Sequence, residues 1–224
     1  MRAGRWDKME IKGIIFDMDG LMFDTERIAL MVWNQVWESE EIDPDCPELG
    51  DMHGITVREA AMRYETAFHG MVDYYELRKK KQALMEEYIH THGLPVKKGL
   101  YELLDYLKER KYRIAIATST IEKEAVPYLK MAQVTEYFDG RVFGDMVEHG
   151  KPDPEIFCKA AEQLKLKPEE CMVLEDSRNG LCGALAGGFH AVMIPDQQKP
   201  DPKLSKLLAA VCDSLLDVPC LLEK

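Results

Sequence analysis

Apolar runs of strand length recur along the chain at Ile11–Phe16, Tyr112–Ala117, Arg141–Phe143, Cys171–Leu174 and Ala191–Ile194. Between them apolar residues fall at helical spacing, as in Leu100, Leu103, Leu104 and Leu107. This rhythm predicts an α/β fold, a parallel sheet sandwiched by helices. Asp153-Pro154-Glu155 predicts an N-cap followed by proline at the first helical position, and Gly187-Gly188 predicts a helix stop before Ala191. Pro127 lies inside the helical segment Ile121–Met131, where its ring and missing N–H predict a kink or a break in two.

The first and second runs are separated by a stretch far too long for an ordinary crossover, and its pattern is helical throughout. It predicts an inserted helical domain over residues 25–95, with the catalytic core formed by 1–24 and 96–224. Ile28, Met31, Val32, Gln35 and Val36 trace one helix, and Thr56-Val57-Arg58-Glu59 makes a capping box for a second that ends near Gly70. Asp73 with Glu76 opens a third, whose apolar stripe is Leu77, Leu84, Met85, Tyr88 and Ile89. Both crossings fall near the carboxyl end of the first strand, so the insert is placed to act as a lid. Asp24-Thr25 and Gly93–Lys98 are the hinge candidates.

Composition narrows the partners. A chain of 224 residues with 29 Lys and Arg against 40 Asp and Glu carries a formal net charge of −11, which suits neither nucleic acid nor an anionic membrane. No apolar run reaches the length of a membrane span, and the first residues lack a signal-peptide apolar segment, so the expectation is a cytoplasmic protein and a monomer. The six cysteines are scattered without a Cys-x-x-Cys pair and read as reduced thiols buried as small hydrophobes.

The chemistry is concentrated at the strand ends. Asp17-Met18-Asp19-Gly20 sets two carboxylates two residues apart where the first strand gives way to a turn, the place where open α/β sheets bind ligands. Alone, such a motif is more often a solvated turn with helix-capping aspartates. Three later strand ends supply partners. Thr118-Ser119-Thr120 offers hydroxyls and amides at a helix N-terminus, a phosphate cradle for which helix capping is the competing explanation. Lys151 is held between Gly150 and Pro152, and Glu175-Asp176 adds two carboxylates. Four clustered carboxylates repel strongly unless a lysine and a hard divalent cation offset them, and Mg²⁺ fits an all-oxygen site.

Four segments in this order, residues 16–26, Thr118, residues 151–157 and residues 174–180, resemble the haloacid dehalogenase superfamily of phosphotransferases, in the branch of β-phosphoglucomutase and small-molecule phosphatases. The likeness runs from about Met9 onward. It implies a Rossmann-like core with an inserted helical cap. It also implies that Asp17 is the nucleophile forming an aspartyl-phosphate and Asp19 the general acid and base. Lys151 offsets phosphoryl charge, Thr118 hydrogen-bonds a phosphate oxygen, and Glu175 and Asp176 hold Mg²⁺ with Asp17 and the backbone carbonyl of Asp19. The dehalogenase branch works on carbon without metal, and Asp19 and the acidic pair speak against it.

A mutase needs a second phosphate site in its lid. Here Val57 stands where those enzymes place a lid arginine, with Arg58 one residue on, and Ala29 where they place a histidine. Both departures favour hydrolysis of a small phosphorylated metabolite over mutase turnover. A catalytically inactive interaction protein is disfavoured because every catalytic position carries a competent residue. On the lid, Arg58, His53 beside Gly54, and the basic run Arg78–Lys81 are the candidates for substrate contact. Turn capping is the alternative for His53, and a solvated face for the run. Trp33 and Trp37, four apart on one helix, read as lid core rather than a stacking platform.

Overall fold

The computed structural model describes residues 10–50, 52, 55–199 and 201–223. The chain begins with β1 (Gly13–Phe16) and three helices, α1 (Thr25–Ser39), α2 (Val57–Ala67) and α3 (Tyr74–His92). Then follow α4 (Leu100–Glu109), β2 (Arg113–Ala117), α5 (Glu122–Met131), β3 (Gly140–Val142), α6 (Glu155–Leu164) and β4 (Cys171–Glu175). The chain closes with α7 (Arg178–Ala186), β5 (His190–Met193), β6 (Ala210–Val211) and α8 (Pro219–Leu222).

The strands form one parallel sheet in the order β3-β2-β1-β4-β5-β6. Strand side chains alternate faces, and the sequence fills both with apolar residues. Ile14, Phe16, Ile116 and Leu174 pack with α4 and α5, while Ile15, Ala115, Val173 and Ala191 pack with α6 and α7. The chain leaves β1 for β2 and β3 on one side and resumes at β4 on the other. The β1–β4 pair is therefore a switch point with its crevice at the strands' carboxyl ends. Phe16 is level with Ile116 and Leu174, so Asp17 and Glu175 occupy the next row of neighbouring strands.

The five expected strands are present with ends shifted by a residue or two. The sixth was not expected, because two residues, Ala210 and Val211, make no apolar run. Pro127 does not divide α5. It lies on the exposed side of the helix, as does Lys123, whose carbonyl loses its partner and can be hydrated there. Asp153 caps α6 by accepting the Glu155 N–H at 2.9 Å, but Pro154, expected as the first helical residue, stands just before the helix. All six cysteines are free thiols. Cys171 and Cys212 are buried, whereas Cys158 and Cys220 are exposed rather than buried as expected. Among the described residues no helix is long and apolar enough to cross a membrane.

The long insert between β1 and β2 holds α1, α2 and α3, each where its apolar spacing and cap residues require. Thr56 accepts the Glu59 N–H, and Asp73 accepts those of Tyr75 and Glu76. Val36, Leu49, Tyr64 and Leu77 form a small core of their own, while Ile28, Val32, Met85 and Ile89 join the core shared with α4 and α5. The two crossings run side by side. The Asp24 N–H bonds to the Pro95 carbonyl at 2.9 Å and the Lys97 N–H to that of Met22 at 2.9 Å.

Candidate active site

Four chain segments deliver polar side chains to the carboxyl edge of the sheet, beneath the inserted helices. Asp17 follows β1, Thr118 follows β2, Glu175 closes β4 with Asp176 just after it, and Lys151 comes from the loop before α6, at a cis peptide bond to Pro152. All five are buried. Lys151 Nζ donates to Asp17 at 2.5 Å and to Glu175 at 2.6 Å. The other Glu175 oxygen accepts the Ser177 N–H at 2.8 Å and its hydroxyl at 2.9 Å.

Burial pushes the Asp17 carboxyl well above the ordinary aspartate range; Lys151 opposes that shift, while Glu175 and Asp19 add to it. Burial does the same to Asp176, reinforced by Glu175 and Asp17. Burial alone would lower the Lys151 pKa, but the two carboxylates outweigh it and hold the ammonium above the usual lysine value. One oxygen each from Asp17, Glu175 and Asp176 lie within 4.8 Å of one another. Three buried carboxylates against one ammonium leave an excess of negative charge on oxygen ligands alone, a donor set that suits a hard divalent cation.

The Asp19 carboxylate does not belong to this trio, contrary to the expected cluster of four. It accepts the hydroxyls of Thr25 at 2.6 Å and Thr120 at 2.7 Å, with that of Thr118 at 3.4 Å. Short hydroxyl contacts hold it away from the other carboxylates, within reach of the cavity. Gly20 makes the adjacent turn at φ +81, and a Cβ there would lie 2.4 Å from Asp176 Oδ2. Asp17, Asp19, Thr118 and Lys151 line a cavity of about 340 Å³ whose opposite wall is formed by the inserted helices.

The family model for haloacid dehalogenase-like hydrolases matches residues 14–194. The chain belongs to this family. The phosphorylated carbohydrates phosphatase of Thermotoga maritima is 33% identical over 81% of this chain and 84% of its own. A Drosophila melanogaster protein bearing the name of a pseudouridine-5′-phosphatase is 31% identical over 89% of each. The crystal structure of a hydrolase from Pseudomonas syringae superposes with a TM-score of 0.80 at 22% identity, covering 95% of this chain and 98% of that one. The haloacid dehalogenase fold is thus shared over nearly the whole length.

Within this family member, the expected lid residues separate. His53 lies outside the described residues. Arg58 is absent from the cavity wall and lines a second groove with Glu148, His149 and Pro154. Val57 faces the cavity instead, and one step along a helix turns the next side chain by about 100°. Of the basic run, Arg78 and Lys81 reach the cavity because three residues make almost one turn. Arg78 is held by a bidentate pair with Glu124 of α5, at 2.5 Å for each bond. Lys79 and Lys80 pair with Glu76 and Glu40. Lys81 has no described carboxylate at ion-pair distance, and burial lowers its pKa.

Ser119 and Thr120 line the cavity, though the Thr120 hydroxyl is engaged by Asp19. Sequence reasoning missed Thr25, Ser177 and Asp196. The first two follow an acidic residue at a helix start, a signal that reads simply as capping. Asp196, past the end of β5, pairs with Lys97 at 2.7 Å and leaves its other oxygen buried without a hydrogen bond.

Glu155 organises the loop that carries Lys151. Its carboxylate accepts the N–H groups of Glu148 and His149 and the Lys159 ammonium at 2.6 Å. The Lys159 hydrogen bond first, then that of the His149 amide, lowers its pKa from 4.5 to about 2. A depressed carboxylate stabilises the fold above its unfolded pKa, and that contribution fades as pH falls from 4.5 towards 2. Protection of the Glu148 and His149 amides from hydrogen exchange, corrected for intrinsic rates, should hold from pH 7 to 5 and decline below 4.5. Constant protection down to pH 2 would contradict the assignment.

Proposed function

We propose that this chain is a Mg²⁺-dependent phosphatase that hydrolyses a small phosphorylated metabolite through an aspartyl-phosphate on Asp17. The observation that carries the reading is the buried pair of Asp17 and Lys151 at 2.5 Å, opening on a cavity that also presents Asp19. Proton transfer and nucleophilic attack need two carboxylates in different settings. Asp17 is buried against an ammonium, whereas Asp19 is surrounded by hydroxyls.

In the first step an Asp17 oxygen attacks phosphorus and the ester oxygen departs, taking a proton from Asp19. In the second, Asp19 takes a proton from a water that attacks the same phosphorus, releasing phosphate and restoring Asp17. Lys151 offsets charge on Asp17 and on the transferring group, and the Thr118 hydroxyl binds a phosphoryl oxygen. Mg²⁺, held by Asp17, Glu175 and Asp176 with the carbonyl of Asp19, would supply the positive charge that Lys151 alone does not match. Residues 25–95 act as a cap that excludes water, with the paired crossings as its hinge.

The names of the two relatives differ in the alcohol but agree on a phosphate monoester. The alternative of a phosphomutase requires a cation for a second phosphate; Arg58 lies outside the cavity, and Lys81 in its wall is the cation that would have to serve. The test is Mg²⁺-dependent phosphate release from a panel of esters ranked by kcat/KM. Formation of glucose 6-phosphate from β-glucose 1-phosphate with a bisphosphate primer would instead establish the mutase.

Gly20→Ala is expected to lower stability by about 1–2 kcal/mol, since a side chain at positive φ is strained. It should also displace Asp176 and so raise the Mg²⁺ concentration needed for half-maximal phosphate release. Unchanged Mg²⁺ dependence would show that Asp176 is not a ligand.

A further inference from the structure

The far wall of the cavity is aromatic. Trp33 and Trp37 stack with centroids 5.5 Å apart at 16°, and Trp33 stacks on Tyr74 at 6.0 Å and 20°. The three rings are therefore nearly parallel. All three line the cavity, and all are half-buried; Trp33 and Tyr74 also pack on the lid core, so Trp33 is both lid core and cavity wall rather than lid core alone. The Trp37 indole N–H is already used, donating to the Tyr64 hydroxyl at 2.9 Å. Leu49, Met52 and Ile55 complete the surface.

The same cavity also presents polar groups for a leaving alcohol. Unlike Arg78, Lys79 and Lys80, Lys81 has no ion-pair partner among the described residues, and Gln82 beside it also faces the cavity. A hexose or pentose phosphate could lay only the C–H groups of its ring face on such a wall, a smaller apolar area than an aromatic ring offers. A flat unsaturated ring would instead stack there, as bases do on aromatic side chains.

We infer that the substrate is a phosphate monoester whose alcohol carries a planar unsaturated heterocycle, of the nucleoside 5′-monophosphate class, with the ring against the aromatic stack of Trp33, Trp37 and Tyr74. The phosphate sits at Asp17, and the sugar beside Lys81 and Gln82. This assignment rests on the phosphatase reading and chooses among its substrates.

Binding can be read without turnover. Calorimetry on the Asp17→Asn protein with Mg²⁺ compares UMP and pyridoxal 5′-phosphate with ribose 5-phosphate. At least one ring-bearing ester is expected to bind about tenfold or more tightly than ribose 5-phosphate. Trp33→Ala in the same background should remove most of that preference, and Trp33→Phe, which keeps a ring and disturbs the lid core less, should retain part of it. Equal affinities, no binding of any ester, or a preference untouched by Trp33→Ala would overturn the inference. The same esters assayed with the wild-type enzyme separate the two levels. Phosphate release without ring preference contradicts only the ring site, whereas ring-selective binding without release from any ester contradicts only the phosphatase.

Discussion

Asp17→Asn is expected to lower the Mg²⁺-dependent rate of phosphate release by on the order of 10⁴-fold or more, as loss of a nucleophile does in other hydrolases. An amide at this position keeps the shape of the side chain but does not attack phosphorus. Stability should respond differently. Asp17 is one of three buried carboxylates held within 4.8 Å, and its own pKa is raised by burial despite Lys151. Removing its charge relieves repulsion with Glu175 and Asp176, so the metal-free variant should melt no lower than the metal-free wild type. The rise in melting temperature on adding Mg²⁺ should shrink, because one ligand is gone. A variant that retains a tenth of the wild-type rate would exclude Asp17 as nucleophile.

Lys151→Met is the second large effect, and it strikes stability and activity together. Lys151 is 1% exposed, with its ammonium shared between Asp17 and Glu175 and set 5.1 Å from the Phe157 ring centroid. Methionine fills much of the same volume, so packing is largely kept while the only cation in direct contact with the trio among the described residues is lost. Breaking a buried pair by removing one partner costs about 3–5 kcal/mol, which for a chain of this size lowers the melting temperature by roughly 10 °C. Mg²⁺ should recover part of the loss in stability. Activity should remain at least about 10²-fold down even at saturating Mg²⁺, since charge on the transferring phosphoryl group is no longer offset from that side. Melting like wild type together with near-normal turnover would remove Lys151 from the site.

How much of this was legible in the sequence depended on whether a local pattern had one physical meaning. Buried parallel strands give short apolar runs, and the residue after each run must sit at the carboxyl edge of the sheet. The sequence therefore places Asp17, Thr118 and Glu175 together, and the insert's helices follow from the caps at Thr56 and Asp73. Where a pattern has two meanings, the sequence was silent. Trp33 and Trp37, spaced four apart, mark one helix face, but whether that face meets lid core or cavity depends on packing against Tyr64 and Tyr74. Val57 and Arg58 differ by one step of a helix whose rotation no local signal sets. The hold of Thr25 on Asp19 joins residues across a turn, and Asp196 reaches Lys97 across 99 positions. The two-residue strand β6 is defined by its neighbour β5 rather than by its own residues.

Covalent chemistry at Asp17 is tested most directly by the stereochemistry at phosphorus. A p-nitrophenyl phosphate made chiral with oxygen isotopes is hydrolysed by the enzyme with Mg²⁺, and the configuration of the released phosphate is compared with that of the ester. Transfer to Asp17 and then to water inverts phosphorus twice, so net retention is expected. Net inversion would mean that water attacks the ester directly, and Asp17 would not be the nucleophile.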